Sequence, residues 1–350
     1  MTATRTVITG WETHSPLGHG TDAHTSAAAL VAGRDDAPRR VPDFEVRRVL
    51  GAKGTRSMCR ASGLAVATAG RLLTRFALDR QHRTDHADDD LGLVLATSDN
   101  VQTVVDFNRD SWTASRPYGV DPARLPVTLM NVHAGQCAIW HRLRGPNSTI
   151  SGSHLGSLLA LRYTGRLLRR GHARVVLCGA VEEDSETRAA YAAARAVPGP
   201  RRPPGEGCVI FLVESADRIV PERPALAELL TVEFGFAPSA GAVRAALAGC
   251  LSRALARTGV PADRISAVVP SPAVDARGGE EALAIKVVLG EVPVVSALHD
   301  ALGDTDAVAA AFQIVGLLTD PALAGRIAAV TATDAEGRVG CALLRMPPRT

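Results

Sequence analysis

Lysine is nearly absent: Lys53 and Lys286 are the only two in 350 residues, and arginine carries the basic charge. The arginines come in short pairs (Arg39-Arg40, Arg169-Arg170, Arg201-Arg202) mixed with acids, and the formal charge is only +3. No basic stripe results, which argues against a nucleic-acid partner. Aromatics make up 4% of the chain against 46% hydrophobic residues, so its interior must be built from Ala, Val and Leu. That mix suits helices packed on buried parallel strands, which read as near-continuous aliphatic runs. Nowhere do eighteen apolar residues follow one another, so no membrane span is expected. The opening MTATRTVITG has no charged segment followed by a long apolar stretch, and a cytoplasmic protein is expected. A Cys-x-x-Cys pair is missing too. Cys59, Cys137, Cys178, Cys208, Cys250 and Cys341 lie far apart and read as reduced, mostly buried thiols. There is no phosphate loop or Rossmann glycine fingerprint. The acidic runs Asp88-Asp89-Asp90 and Glu182-Glu183-Asp184 read as solvated turns rather than metal sites, so neither metal nor cofactor is expected.

What is present is an α/β pattern that repeats. In the first part, LGLVLATSD (91–99) and GPNSTIS (145–151) read as strands. A helix follows at 155–171, then strands at 173–184 and 207–215. The second part runs through the same series. RISAVVPSP (264–272) and VPVVSALHD (292–300) read as strands, AVAAAFQIVGLL (307–318) as the helix, and 326–337 and 339–346 as the closing strands. Each series is preceded by an Ala/Leu-rich helix, at 61–78 and 242–259, and each part opens on an apolar strand, at 5–11 and 225–236. Strand, helix and strand in this order call for parallel crossovers with helices on both faces of each sheet. PERP (221–224) marks the boundary, giving halves 1–220 and 221–350.

Several of these segments resemble the β-ketoacyl synthases of fatty-acid and type II polyketide assembly, in the thiolase superfamily. VITGWETHSPLG is similar to the family's opening strand and Ser-Pro-Leu-Gly turn. LPVTLMNVHAGQCAIWHRLRGPNSTIS resembles the approach to the family's nucleophile, ARVVLCGAVEE the strand after the nucleophile helix, and PPGEGCVIFLVE the strand that closes the first half. DRISAVV and EALAIKVVLG resemble segments flanking the first catalytic histidine. The likeness covers nearly the whole chain, is specific between residues 125 and 184, and after about residue 225 rests on spacing. It implies a thiolase-like, five-layered αβαβα fold with two similar halves.

Chain extension in that family needs a Cys thiolate to carry the acyl group and two histidines to assist decarboxylation. Counting from Thr149, the nucleophile position is His154, within SGSHLGS. An imidazole does not hold an acyl group stably. At a helix N-terminus the dipole disfavours its protonation, so a neutral ring is expected, filling a vacated pocket. With Glu281 as the family's glutamate, the first histidine position is Pro270. In HDALGD the family's lysine position falls on His299 and the second histidine position on Asp304. A bare count agrees: nine of the ten histidines occur by His172, leaving His299 alone beyond it. The segment before PPGEG shrinks to a Pro/Arg linker, and DAEGRVGCALL stands where the family has a Phe-Gly-Phe-Gly-Gly gate. GSHLG resembles a nucleophile elbow, but its centre is histidine and Ser153 has no evident base.

The family branch that lacks the nucleophile is the chain-length factor, although many of its members carry Gln rather than His there. The resemblance implies a non-catalytic partner of an active ketosynthase, a heterodimer that also meets an acyl carrier protein. GPNSTIS would extend one sheet across the interface. Phe107, Trp112, Met130, Asn131 and His133 would face the partner's acyl pocket and limit chain length. These residues read equally as core filling of the dimer. The alternative is an enzyme, an acyltransferase or decarboxylase using His154.

Overall fold

The computed structural model describes residues 5–20, 39–82, 90–116, 119–194, 200–295 and 297–348. Asp88, Asp89 and the start of the Pro/Arg linker (197–199) lie outside the described residues. In chain order, the first part carries β1 (Thr6–Ser15), β2 (Gly18–His19), α1 (Val46–Leu50), α2 (Arg60–Arg75), β3 (Leu91–Thr97) and α3 (Val101–Thr113). Then come α4 (Val132–His141), β4 (Asn147–Ser151), α5 (Gly156–Arg169), β5 (Val175–Glu182), α6 (Glu186–Ala194) and β6 (Gly207–Ser215). The second part carries β7 (Ala227–Phe236), α7 (Val243–Thr258), β8 (Ile265–Val269), α8 (Ala276–Leu289), α9 (Ala297–Leu302), α10 (Ala309–Thr319), β9 (Ile327–Thr333) and β10 (Arg338–Arg345).

The strand order is β4-β3-β5-β6-β1-β7-β10-β9-β8, with β2 paired to β1. Read outward from the β1–β7 junction, the two arms match. One runs β1, β6, β5, β3, β4; the other runs β7, β10, β9, β8 and then the lone bridge from Val268 to Val294. Among the named strands described, the parallel pairs are β3 with β4 and β5, and β8 with β9, and the isolated bridges are parallel too. Within each arm, the strands nearer the junction pair antiparallel, so the all-crossover expectation holds only for the outer strands. The expected strand at 292–300 is absent. Pro293 offers a carbonyl to Val268 but has no N–H to donate, two backbone bonds join the described residues of this segment to Val268, and α9 begins at Ala297.

Period-two alternation sorts the side chains into layers. Along β6, Val209, Phe211 and Val213 join the central core, whereas Cys208, Ile210 and Leu212 face α2 and α4. Along β10, Ala342 and Leu344 face the central core, whereas Val339, Cys341 and Leu343 face α7 and α8. Helices α5 and α10 fill the middle. In α10, residues Ala309 to Val315 are all buried, as a helix that is apolar on every side must be. The outcome is helix, sheet, helix, sheet, helix.

Candidate functional site: His154 and its partners

The turn between β4 and α5 sets His154 against a segment 150 residues away. Residues 203–205 run alongside 303–305: Asp304 N–H donates to the Pro203 carbonyl and Gly205 N–H to the Asp304 carbonyl, each at 2.8 Å. Only glycine fits at 205, where a Cβ would lie 2.1 Å from the Leu302 carbonyl oxygen. Gly303 takes a φ of +74°, which also favours glycine. This ribbon presents the Asp304 carboxylate to His154, with Oδ1 2.8 Å from the ring's Nε2. The other ring nitrogen, Nδ1, lies 3.0 Å from the carbonyl of Thr333 at the end of β9.

Both neighbours accept hydrogen bonds, so the ring satisfies them best with a proton on each nitrogen. Burial by itself lowers the pKa of His154, but the carboxylates of Asp304 and Asp306 outweigh it and push it up to about 10. The neutral ring expected from the helix dipole is therefore corrected: the ring is an imidazolium. Burial works against the Asp304 carboxylate, yet His154 holds it well below the usual carboxylate range.

Around this pair the polar groups are closely matched. Ser153 Oγ donates to Asp306 Oδ1 at 2.6 Å and not to the His154 ring, so no Ser–His pair exists. Asp306 sits at φ +47°, unusual for a residue with a side chain, and also faces Arg188 at 3.9 Å. Arg188 is buried and donates to the carbonyls of Glu183, Gly205 and Asp304. The run 182–184 is not a solvated turn. Glu182 and Asp184 are buried, Glu182 accepts the Ser98 N–H, and Arg40 pairs with Asp184 at 2.6 Å. Among the described residues, no group of three or more His, Cys, Asp or Glu could hold a metal ion.

Pro270 and His299, also singled out in the sequence, touch each other. His299 Nε2 donates to the Pro270 carbonyl at 2.8 Å, and burial drives that imidazole down to about 4. Gln313 donates to the same carbonyl. Next to them Ser271 and Thr331 donate to the buried Glu281. The cysteines stay thiols: burial raises Cys178 and Cys208 to about 12 and Cys59 to about 11, and raises Cys137, Cys250 and Cys341 as well.

Arg188 and Asp306 escaped the sequence reading. Nothing in ETRAAYAAA or DTDAV marks them, because their role comes from one another and from Ser153.

The residues read as facing a partner lie apart from this centre. Trp112 is 84% exposed on α3, Asn131 is exposed, and Phe107 and Met130 are half-buried. His133 turns inward, with Nδ1 2.9 Å from Ser62 Oγ, and burial lowers its pKa to about 4. Helix α3 packs on residues 126–128, which pack on α4, which packs on β4. On that side Val104, Val105, Leu125, Leu129 and Ile139 are exposed, and among the described residues β4 has a free edge. Among the described residues, no helix is long and apolar enough to cross a membrane.

Residues 49–198 match the family described as beta-ketoacyl synthase, N-terminal domain. The chain is 29% identical over 203 residues to 3-oxoacyl-(acyl-carrier-protein) synthase 2 of Rhizobium meliloti, covering 51% of this chain and 47% of that protein. Against the enzyme of the same name from Vibrio harveyi it is 24% identical over 214 residues, covering 56% of this chain and 50% of that protein. The chain thus spans about half the length of the curated relatives it matches. A chain of the ishigamide ketosynthase/chain length factor matches far more fully. The TM-score is 0.83 at 36% identity, with 98% of this chain and 99% of that chain covered. A type II PKS acyl-carrier protein in complex with its ketosynthase bound to the hexaketide gives 0.80 at 18% identity, over 98% and 99% of the two chains; at that identity only the fold is shared. With a layered fold of two similar halves and a near full-length relative at 36% identity, the chain belongs to the β-ketoacyl synthase family.

Proposed function

We propose that this chain is a non-catalytic, chain-length-factor-like partner of an active ketosynthase in type II polyketide assembly, with residues 1–220 and 221–350 as its two halves. The observation that carries the reading is the state of position 154. Where the family needs a thiolate, this chain has an imidazolium bound on both nitrogens, to Asp304 and to Thr333. A ring so engaged has no lone pair for a nucleophile or base and no free N–H for a substrate. That weighs against an acyltransferase or decarboxylase working through His154.

The free edge of β4 and the exposed apolar residues beside it support a partner on that side. Phe107, Trp112 and Met130 would then form part of the wall of the partner's acyl pocket, and an acyl carrier protein would deliver substrate to the partner's nucleophile. Co-expression with a ketosynthase encoded beside it, followed by size analysis, tests the reading. A stable one-to-one complex is expected; a monomer that ignores the ketosynthase would count against the partner role.

A further inference from the structure

Above the His154–Asp304 pair lies an open cleft of about 480 Å³, the size of a small-molecule site. Its walls do not suit an acyl chain. Eleven of its twenty lining residues are Asp, Glu, Arg or His, and the apolar ones apart from Tyr191 are alanines and one proline. Most of these charges have partners within the protein. Asp304 is held by His154, Asp306 by Ser153, Asp275 by Arg277 and Glu336 by Arg338. Arg202 reaches Asp300 and the Pro272 carbonyl. Arg201 is different: it is exposed on the cleft wall and, among the described residues, forms no ion pair or hydrogen bond.

The backbone beside Arg201 is held. Arg201 stands in the run Pro200-Arg201-Arg202-Pro203-Pro204, where each proline fixes its φ. The far end of that run is pinned on both sides by backbone bonds, to Arg39 and to Asp304. An unpartnered guanidinium at the mouth of a polar cleft, on a backbone held nearby at Pro203 and Pro204, is free to take a ligand. Its planar fork matches two oxygens of a carboxylate or a phosphate.

We propose that this cleft binds a small free oxyanion, a carboxylate or phosphate metabolite, with Arg201 as the principal contact and Arg202 beside it. The inference stands on the cleft alone and does not depend on the partner role. Arg277 and Arg338, from the second half, line the same cleft as Arg201, from the first, so a bound anion bridges the halves and stabilises the folded chain. The test is titration of the full chain with inorganic phosphate and, separately, succinate, followed by calorimetry and thermal unfolding, with sodium chloride at matched ionic strength as control. Saturable binding and a raised Tm with at least one anion are expected, and the anion that binds separates the phosphate source from the carboxylate source. Arg201→Ala, at an exposed site that tolerates change, should weaken binding about tenfold, with Arg201→Lys in between. No response beyond that of chloride, or equal binding by Arg201→Ala and the parent chain, would overturn the proposal.

Discussion

Removing the His154 ring would leave the Asp304 carboxylate with the Asp306 N–H but without its charged partner, beside the Asp306 carboxylate. The His154 ring is buried but the Asp304 side chain is 41% exposed to the cleft, so water screens the stranded charge and the loss is about 2 kcal/mol, below that of a fully buried pair. His154→Ala should therefore lower unfolding stability by about that much in urea at pH 6, and a loss under about 1 kcal/mol would show that the pair is not structural. The sign of the pH dependence follows from the pKa. The native value is raised from 6.5 to about 10, so the stabilisation is complete below pH 6.5 and is lost as pH rises through about 10. The gap between parent and His154→Gln should shrink over that range. His133 and His299 act in the opposite sense. Both are lowered to about 4, so protons bind the unfolded chain first and stability falls as pH drops from 6.5 toward 4.

This part of the site was only half legible in the sequence. Local motifs singled out His154, Pro270, His299 and Asp304, and the structure has His154 in contact with Asp304 and His299 in contact with Pro270. The charge state of His154 could not be read, because it depends on an aspartate 150 residues away, set in place by a glycine-dependent backbone approach.

Among the elements, α3 and β4 carry the partner hypothesis. Trp112 is too exposed to hold up this chain's own fold, so Trp112→Ala should change its stability by no more than about 0.5 kcal/mol. If the residue anchors the interface, the same change should cost about 2 kcal/mol or more in affinity for the ketosynthase. Phe107 and Met130 are half-buried, and their Ala variants separate two roles. A wall residue keeps the complex and lengthens the product by roughly one or two extension units, in space opened by the lost side chain. A core residue loses the complex. Three variants that all assemble normally and leave product length unchanged, measured by mass spectrometry, would remove the wall role from this region.

The elements themselves were largely legible, since alternation and helical periodicity are local. The segment 292–300 failed because an aliphatic run with proline inside it looks like a strand until its hydrogen-bond partners are counted. Glu182 and Asp184 misled for the opposite reason: acids at a strand end look solvated until Arg188 and Arg40 fold over them.

At the scale of the whole molecule, the chain keeps the family architecture. Two matching arms of sheet still enclose α5 and α10, and the turn ahead of α5 still points into a cleft between the halves. At that turn His154 meets Asp304, with a buried polar network around them. The central claim is that acyl chemistry belongs to the partner. Its most direct test is to incubate the purified complex with an acyl-carrier-protein thioester and measure the intact mass of each subunit. The account predicts acyl mass on the ketosynthase alone; a stable acyl adduct on this chain, at His154 or Ser153, would contradict it.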